Sequence, residues 1–370
     1  MIRKERKDGR VVKSKNMRTT VEAIWSKGKM GFQPLELFLR GASFLYGFAI
    51  LMRTVFFDMG LLRQEKLPCK VISIGNITVG GTGKTPMVIY LANLLKNKGF
   101  RPAVLSRGYK GKTKAPINIV SDGKRLMMKP GDCGDEPVLI AKSLSGIPVL
   151  TGPQRVLTGK VAIEQFGVDL LILDDAFQHR QLARDINIVL LNAEKPLGNG
   201  FLLPAGPLRE RPSALRRADF VIYTGDNTKI TTVMPSKPAY HARHQAVAII
   251  NGATGRESPL HTLKGRRICA FAGIAKPEAF RKTLTELGAS EVVLLPYPDH
   301  HEYSREDIRE IQKKALEEKA DMIMTTEKDG VKLAHFHMFL EKIDLLRVAM
   351  VFSGDEQAFA GSLMEKLKHP

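Results

Sequence analysis

The segment from Val71 to Thr85, VISIGNITVGGTGKT, has the residue types that hold a phosphate group. Its apolar run leads into a glycine-rich turn, whose backbone N–H groups can converge on phosphate oxygens without Cβ clashes. Lys84 can reach the β- and γ-phosphates, and the Thr85 hydroxyl can ligate Mg²⁺. Thr78 replaces the first glycine of the usual G-x-x-x-x-G-K-[ST] pattern, so the loop is a relaxed version. The residues predicted to bind the nucleotide are Thr78, Val79, Gly80, Gly81, Thr82, Gly83, Lys84 and Thr85.

Two adjacent acids, Asp174 and Asp175, follow the apolar run VDLLIL. A strand that ends in acids downstream of a phosphate loop is typical of the Walker B arrangement, in which an acid holds Mg²⁺ or its water. Turn formation is the other use of an Asp at a strand end, but the upstream loop favours the metal. We therefore predict a Mg²⁺ site made by Thr85, Asp174 and Asp175, and the sequence leaves open which acid contacts the metal directly.

Two further loops carry groups that could move protons. In GDEP, Asp135 and Glu136 precede an apolar helical run, so either acid could cap that helix. In PDHHEYS, Asp299, His300 and His301 follow a predicted strand. Vicinal histidines do not share one face of a helix, so a single loop histidine aimed at a cleft is a better interpretation than a metal pair.

Basic residues lie in loops where an α/β sheet would place functional groups. Arg107 and Lys110 follow a predicted strand, and Arg155 opens a predicted helix. Arg209 and Glu210 belong to the long loop GNGFLLPAGPLRERP. Functional residues gather at the carboxyl ends of parallel strands, and a loop of this length is more often functional than idle.

The elements that must position these residues alternate between apolar strand patterns and helical patterns. This alternation predicts an α/β fold, with a P-loop NTPase-like parallel sheet that carries helices on both faces. We assign the P-loop kinase core to residues 63–225. The pattern restarts near residue 226, which predicts a second, smaller α/β domain over 226–370 whose last segment could return to the core.

The N-terminal part of the chain has a different character. Residues 1–30 form a basic extension with ten Lys or Arg against three acids. It is either a solvated tail or a segment attracted to anionic lipid. Met17 is a possible alternative start. Residues 31–62 are apolar and aromatic. Their uncharged run from Gly41 to Met52 has twelve residues, fewer than the ~18–20 that span a bilayer. We expect a helix in the membrane interface, and packing on the core is the compatible alternative.

Composition narrows the class of protein. The formal net charge of +19 favours anionic partners. Nucleic acid is not expected, because no helix-turn-helix, zinc finger or RNP-type aromatic motif is present. The three cysteines are widely spaced and include no CxxC, so we expect neither a disulfide framework nor a zinc site. The same cysteine usage predicts that the protein works in a reducing compartment.

Taken in order, the motifs resemble the tetraacyldisaccharide 4′-kinase family over residues 42 to 330. Small departures are Ala176, where glycine is expected, and Gly330, where alanine is expected; neither removes a reactive group. The stretches that carry the resemblance are LYGF, ISIGNITVGGTGKTP, LSRGYKGK, GDEP, GPQR, LILDDAFQHR, LLPAGPLRE, FAGIAKPEAF, PDHHEY and TTEKD.

The resemblance implies a lipid kinase that uses ATP and Mg²⁺. Its reaction would transfer the γ-phosphate to the 4′-hydroxyl of a tetraacylated glucosamine disaccharide 1-phosphate, giving lipid IVA in lipid A biosynthesis. It also implies that Asp135 is the base and that His300 orients it. Asp175 and Glu210 would be further catalytic acids. The candidates for binding the substrate's phosphate are Arg107, Arg155 and Arg209.

An amphiphilic substrate would also account for the N-terminal helix. The expected place is the cytoplasmic face of the Gram-negative inner membrane, where a peripheral, monotopic enzyme meets a lipid surface. We expect a monomer. The alternative is another P-loop kinase, acting on a soluble anionic substrate.

Overall fold

The computed structural model describes Trp25 and residues 34–108, 111–113, 115–226, 232–234 and 236–368. The predictions for Lys110, for Met17 and for the basic extension, apart from Trp25, lie outside the described residues. The helices are α1 Pro34–Asp58, α2 Lys84–Asn97, α3 Pro130–Cys133, α4 Asp135–Ser143, α5 Arg155–Phe166, α6 Pro277–Glu286, α7 Arg305–Glu317, α8 Glu327–Lys332, α9 His337–Leu340 and α10 Glu356–Lys368. The strands are β1 Lys70–Gly75, β2 Pro102–Ser106, β3 Asn118–Ser121, β4 Val149–Thr151, β5 Leu170–Leu173, β6 Ile186–Asn192, β7 Phe220–Thr224, β8 Ala239–Asn251, β9 Glu257–Ser258, β10 Arg267–Ala272, β11 Glu291–Pro296, β12 Met322–Thr326 and β13 Ile343–Phe352.

One sheet contains all the strands of the described residues. Its order is β11-β10-β12-β13-β8-β7-β6-β1-β5-β2-β4-β3, and β9 pairs with β8. The strands from β7 to β4 run parallel, as do those from β13 to β11. Between these two sets, the long strands β8 and β13 pair antiparallel. The predicted α/β fold with a mostly parallel sheet is confirmed.

The central strands read as apolar runs because helices cover both of their faces. Ile72 and Ile74 of β1 point to one cluster, which includes Met87, Val88 and Leu91 of α2. Val71 of β1 points to the other face and packs in a second cluster with residues of β2 and β5. Alternate residues of one strand therefore enter two cores, as the period of a β-strand requires.

The last helix, α10, packs against the half of the sheet that carries the phosphate loop. Phe359 is fully buried and lies against Phe220 of β7, Tyr240 of β8 and Phe352 of β13. Leu363 belongs to the same cluster as the apolar face of α2. The chain thus returns to its first half at its end, and the sheet runs across residue 226 without a break. The division into domains at that residue stays a prediction.

Helix α1 packs on the protein along one face and exposes an apolar face on the other. Ser43 and Gly47 are buried, whereas Phe44, Leu45 and Phe48 are 72%, 69% and 55% exposed. Within the described part of the chain, α1 is the helix long and apolar enough to cross a membrane by length and composition. Its packed face hydrogen-bonds to the 201–211 segment, which favours a helix that lies along a surface over one that crosses a membrane.

The position of α10 predicts that its loss would unfold the first half of the sheet. Phe359→Ala should lower the free energy of unfolding by about 3–5 kcal/mol, because it removes a large ring from a closely packed site. Denaturant unfolding of the full chain measures this change. Leu316→Ala is the matched control: Leu316 is 80% exposed, so a change within about 0.5 kcal/mol is expected. Equal effects of the two substitutions would contradict the assignment of α10 to this core.

Candidate active site

The predicted site residues meet because their strands are neighbours. In the order β1-β5-β2-β4, each carboxyl end leads into one candidate segment: the phosphate loop, the paired acids, Ser106 with Arg107, and the turn before Arg155. Adjacent parallel strands deliver their carboxyl ends to one edge of the sheet. Side chains that lie far apart in the chain therefore come together there.

The phosphate loop is held from several sides. Asn76 donates from Nδ2 to Thr82 Oγ1 at 3.0 Å, and the Thr224 hydroxyl of β7 donates to the Thr82 carbonyl at 3.1 Å. Gly83, directly before α2, has a φ of 81°, which few residues other than glycine adopt without strain. A Cβ at Gly83 would lie 2.5 Å from Nε2 of His244. The ribbon of β8 and β13 thus abuts the loop.

Asp175 joins two cations at the mouth of this loop. Its carboxylate accepts from Arg209 at 3.0 and 3.1 Å, and the Lys84 ammonium lies 3.7 Å from Oδ1. Asp175 also has a φ of 46°, a left-handed conformation that is uncommon for a residue with a side chain. Strained backbone of this kind is found at functional sites.

Asp174 differs from its neighbour because it is buried. It is 3% exposed, and the Ser106 hydroxyl donates to its Oδ2 at 3.0 Å. Burial, together with the nearby carboxylates of Glu136 and Asp175, raises the pKa of Asp174 to about 6. A cation that approaches this carboxylate would relieve the cost of its charge.

The donor set suits a hard cation, since Thr85, Asp174 and Asp175 all offer oxygen. Within the ranges that the structure describes, no group of three or more His, Cys, Asp or Glu side chains could hold a metal. Mg²⁺ commonly takes only one or two carboxylates and completes its shell with phosphate and water oxygens. The residues present therefore fit Mg²⁺, and its ligands stay a prediction.

Asp135 and His300 face each other across the two halves of the molecule. His300 Nδ1 lies 3.4 Å from Asp135 Oδ2. The capping interpretation of Asp135 is wrong: it is the first residue of α4, the capping position belongs to Gly134, and no side chain caps that helix. A carboxylate in the first turn is still favoured by the helix dipole.

The structure distinguishes the two vicinal histidines. His300 has a φ of 64°, and its N–H donates to the Gly273 carbonyl, which turns its ring toward Asp135. His301 points away: its Nε2 lies 2.9 Å from Asp307 Oδ2, and its ring stacks on Tyr297. His300 is therefore the histidine at the predicted site.

Lys328 adds a charge that the sequence reasoning did not single out. Its ammonium lies 3.7 Å from Asp299 and 3.9 Å from Glu136, so it bridges α4 and the loop of the histidines. It belongs to TTEKD, a stretch that carries the family resemblance but by itself predicts no role for the lysine. A lysine beside these two acids keeps the local charge closer to neutral, which an anionic nucleotide requires.

Glu210 is buried and already has partners. Gln178 donates from Nε2 to Glu210 at 3.0 Å and to the Asn76 carbonyl at 2.9 Å, and Arg217 forms an ion pair with the same carboxylate. Glu210 therefore ties its loop to the phosphate loop through Gln178. Its predicted catalytic role is untested.

The predicted phosphate-binding arginines differ in environment. Arg107 is exposed. Arg155 is 3% exposed and donates to the Gly152 carbonyl, while its Nε has no partner among the described residues. Burial lowers the pKa of Arg155 to about 10, although Asp174 opposes the shift. Arg209 is engaged with Asp175, as described above.

His179 lies among these cations. Burial lowers its pKa to about 4, and the positive charges of Arg155 and Arg184 add to the shift. Its Nε2 is buried without a partner within the described chain. A neutral imidazole with a free nitrogen beside a buried guanidinium is a polar surface that an anion or a hydroxyl could complete.

Sequence reasoning missed four residues of this region: Ser106, Gln178, Lys328 and Arg217. Three of them lie inside motifs that carried the resemblance, so their polar side chains were an available signal. Arg217 had no such signal. It reaches Glu210 from the short 3₁₀ helix at 212–217, where spacing predicts nothing.

Comparison with known proteins gives a consistent result. The family model described as LpxK, tetraacyldisaccharide-1-P 4′-kinase, matches residues 35–368. The tetraacyldisaccharide 4′-kinase of Syntrophus aciditrophicus is 54% identical over 338 residues, which cover 86% of this chain and 90% of the relative. That of Pelobacter propionicus is 43% identical and covers 84% and 87%. A crystal structure of LpxK from Aquifex aeolicus in complex with ATP shares 34% identity with a TM-score of 0.76, over 90% of this chain and 99% of the other.

The partly buried imidazole of His179 predicts a loss of stability in acid. Its folded-state pKa of about 4 lies below the ordinary 6.5. Its contribution to stability is therefore present above pH 6.5 and is lost as the pH falls toward 4, where the unfolded state binds the extra proton. Between pH 7.5 and 5, the wild type should lose about 1 kcal/mol more of its free energy of unfolding than His179→Gln, a figure reduced for solvent screening.

Denaturant unfolding at several pH values measures this difference. His261→Gln is the matched control, because His261 is exposed. It should keep the pH dependence of the wild type. If His179→Gln also keeps it, folding does not lower the pKa of His179 and the prediction is wrong.

Proposed function

The chain belongs to the tetraacyldisaccharide-1-P 4′-kinase family, and on that premise we propose how its residues perform the reaction of the family. The protein is a kinase: it transfers the γ-phosphate of ATP to the 4′-hydroxyl of a tetraacyldisaccharide 1-phosphate, the step that forms lipid IVA. The contact between Asp135 and His300 carries the assignment of residues. It supports the pairing of a candidate base with a group that could orient it.

Asp135 is the proposed general base. A secondary sugar hydroxyl is a weak nucleophile, and a positioned carboxylate that takes its proton lowers the barrier. His300 Nδ1, 3.4 Å from the carboxylate, orients Asp135 and can hold the proton's charge afterwards. The Asp135 carboxylate is free for this role because it caps no helix.

Lys84 and the loop amides are the proposed phosphate-binding groups. The Lys84 ammonium lies 3.7 Å from Asp175 Oδ1, which is too long for a close hydrogen bond. Its flexible stem can turn the ammonium toward a β- or γ-phosphate, and Arg209 then keeps Asp175 in place through its two closer contacts. Phosphoryl transfer depends mainly on such positioning and charge neutralisation.

Thr85, Asp174 and Asp175 are the proposed ligands of Mg²⁺. The ion, when bound with ATP, neutralises charge on the phosphate oxygens. The Ser106 hydroxyl donates to Asp174 Oδ2 at 3.0 Å. This hydrogen bond fixes one oxygen of the acid and orients the other. Asp175 is fixed by Arg209 in the same way.

Arg107, Arg155 and His179 are the proposed contacts of the substrate's own phosphate or sugar. Arg107 is exposed at the end of β2, and Arg155 has a buried Nε without a partner in the described chain. A guanidinium can bind a phosphate in a bidentate manner. The free Nε2 of His179 could accept a hydrogen bond from a sugar hydroxyl.

Helix α1 is the proposed membrane contact. Its outer face presents Phe44, Leu45 and Phe48, and its inner face is fixed to the core. The net charge of +19 would add attraction to anionic lipid. A kinase of a soluble anion would not need this exposed apolar face, so α1 favours the lipid substrate over that alternative. We place the enzyme on the cytoplasmic side of the inner membrane, where ATP is available.

The reaction is tested by incubating purified protein with ATP, Mg²⁺ and tetraacyldisaccharide 1-phosphate in detergent micelles. A product with a second phosphate, located on the 4′-oxygen, is expected. Asp135→Ala should lower kcat by about 10²–10⁴-fold, because the hydroxyl loses its base. Binding of Mg·ATP should change by less than about threefold, since Asp135 faces the acceptor.

Asp132→Ala is the matched control, because Asp132 is an exposed acid three positions earlier. It should keep the turnover of the wild type. Equal losses of turnover and of ATP affinity in Asp135→Ala would make Asp135 a structural residue. No phosphate transfer by the wild type would overturn the function itself.

The membrane contact is tested by replacing Phe44, Leu45 and Phe48 together with Ser. Partitioning onto vesicles of phosphatidylethanolamine and phosphatidylglycerol should fall by at least about tenfold, because three apolar side chains lose their place in lipid. Vesicle co-sedimentation measures it. A control with Leu316→Ser and Met338→Ser, which are exposed outside α1, should bind as the wild type does. Unchanged binding of the triple variant would place the membrane contact elsewhere.

A further inference from the structure

Tyr46, on the packed face of α1, contacts the segment that borders the phosphate loop. Its hydroxyl donates to the Arg209 carbonyl at 2.9 Å. It belongs to the LYGF stretch, of which the preceding assignments use only the exposed Leu45 and Phe48. Its neighbours on the outer face, Leu45 and Phe48, are exposed. Tyr46 is therefore the inward group of a helix whose other side faces the lipid.

The segment that Tyr46 contacts pairs with the phosphate loop through its backbone. The Arg209 N–H donates to the Ile77 carbonyl at 2.7 Å, and the Val79 N–H donates to the Pro207 carbonyl at 2.7 Å. Thr78 and Leu208 lie opposite each other in an antiparallel bridge. Three consecutive positions of the loop thus pair with this segment, as in a short ladder of two strands.

Arg209 is the residue at which these contacts meet. Its N–H reaches the loop, its carbonyl accepts from Tyr46, and its guanidinium contacts both oxygens of Asp175. Asp175 in turn lies 3.7 Å from the Lys84 ammonium. A displacement of the Arg209 backbone would therefore move the first arm of the phosphate loop and the anchor of Asp175 together.

Close packing on both sides makes this connection stiff. A Cβ on Gly47, the next residue of α1, would lie 2.8 Å from Leu202 Cδ1, so the helix and the 201–211 segment approach closely only because this residue is glycine. The Ser43 hydroxyl donates to the Leu202 carbonyl at 2.6 Å. The 201–211 segment is thus held at Leu202 by Ser43 and at Arg209 by Tyr46, and of these two contacts the one at Arg209 reaches the residue that pairs with the phosphate loop.

We propose that Tyr46 is a positioning residue for the nucleotide: its hydroxyl fixes the Arg209 backbone, and it thereby couples the membrane-facing helix to the ATP phosphate site. The helix then has two roles, on its two faces. The outer face contacts the lipid surface, and the inner face sets the geometry of the phosphate loop. The inference rests on the proposed function for its lipid-dependent measurement, but its nucleotide measurement stands alone.

The test compares Tyr46→Phe with Ser43→Ala in the full-length protein. Each substitution removes one hydroxyl from the packed face of α1, but only the first removes a contact with Arg209. Calorimetric titration of Mg·ATP into protein in detergent, without lipid, should give a Kd about three- to tenfold higher for Tyr46→Phe, the effect of one hydrogen bond. Ser43→Ala should stay within about twofold of the wild type by the same measure.

Steady-state kinetics separates positioning from a general loss of structure. Tyr46→Phe should raise the KM for ATP, while the KM for the disaccharide 1-phosphate and the co-sedimentation with vesicles remain those of the wild type. Equal shifts in both variants, an unchanged Kd for Mg·ATP, or a loss confined to lipid binding would overturn the proposal. If the wild type binds Mg·ATP but transfers nothing to the lipid, the proposed function fails, while the comparison of Kd values still decides the role of Tyr46.

Discussion

The convergence of Lys84 and Arg209 on Asp175 is the interaction on which the rest of the site depends. Two cations share one carboxylate at the carboxyl edge of the sheet, with Arg209 at 3.0 Å and Lys84 at 3.7 Å. The closer partner keeps the acid in place, and the more distant one is the lysine of the phosphate loop. These three groups carry a net positive charge, which suits an anionic nucleotide, and Lys84 can exchange the carboxylate for a phosphate because it is the more distant partner.

A second constraint is that the site is built from both halves of the chain. The antiparallel ribbon of β8 and β13 makes one sheet of two parallel sets and brings His244 against Gly83. Lys328 and His300, from the second half, reach Glu136 and Asp135 of the first. The proposed base and its orienting histidine therefore keep their contact only while the two sets of strands stay joined. The return of α10 to the first core secures that joint.

The N-terminal helix is the proposed answer to a requirement that the substrate imposes and that a kinase of soluble substrates does not have. The family acts on a substrate whose acyl chains belong to a membrane, while ATP and the acids of the site need water. In the proposed arrangement, helix α1 meets both conditions with two faces: an exposed apolar face for the membrane, and a packed face that hydrogen-bonds to the 201–211 segment through Ser43 and Tyr46. The packed face explains why a helix long enough to cross a membrane is held along the protein.

The sequence by itself determined the fold class, the phosphate loop, the paired acids and the family, because each of these depends on local patterns: an apolar strand, a glycine turn, a helix. It could not decide what Asp135 does, since an acid before a helix caps it or faces a cleft with the same local spacing. Only the tertiary structure put His300 rather than His301 beside Asp135, separated buried Asp174 from paired Asp175, and connected Tyr46 to Arg209. Each of these contacts joins residues far apart in the chain, and their distances follow from strand order and helix docking, which no local pattern records.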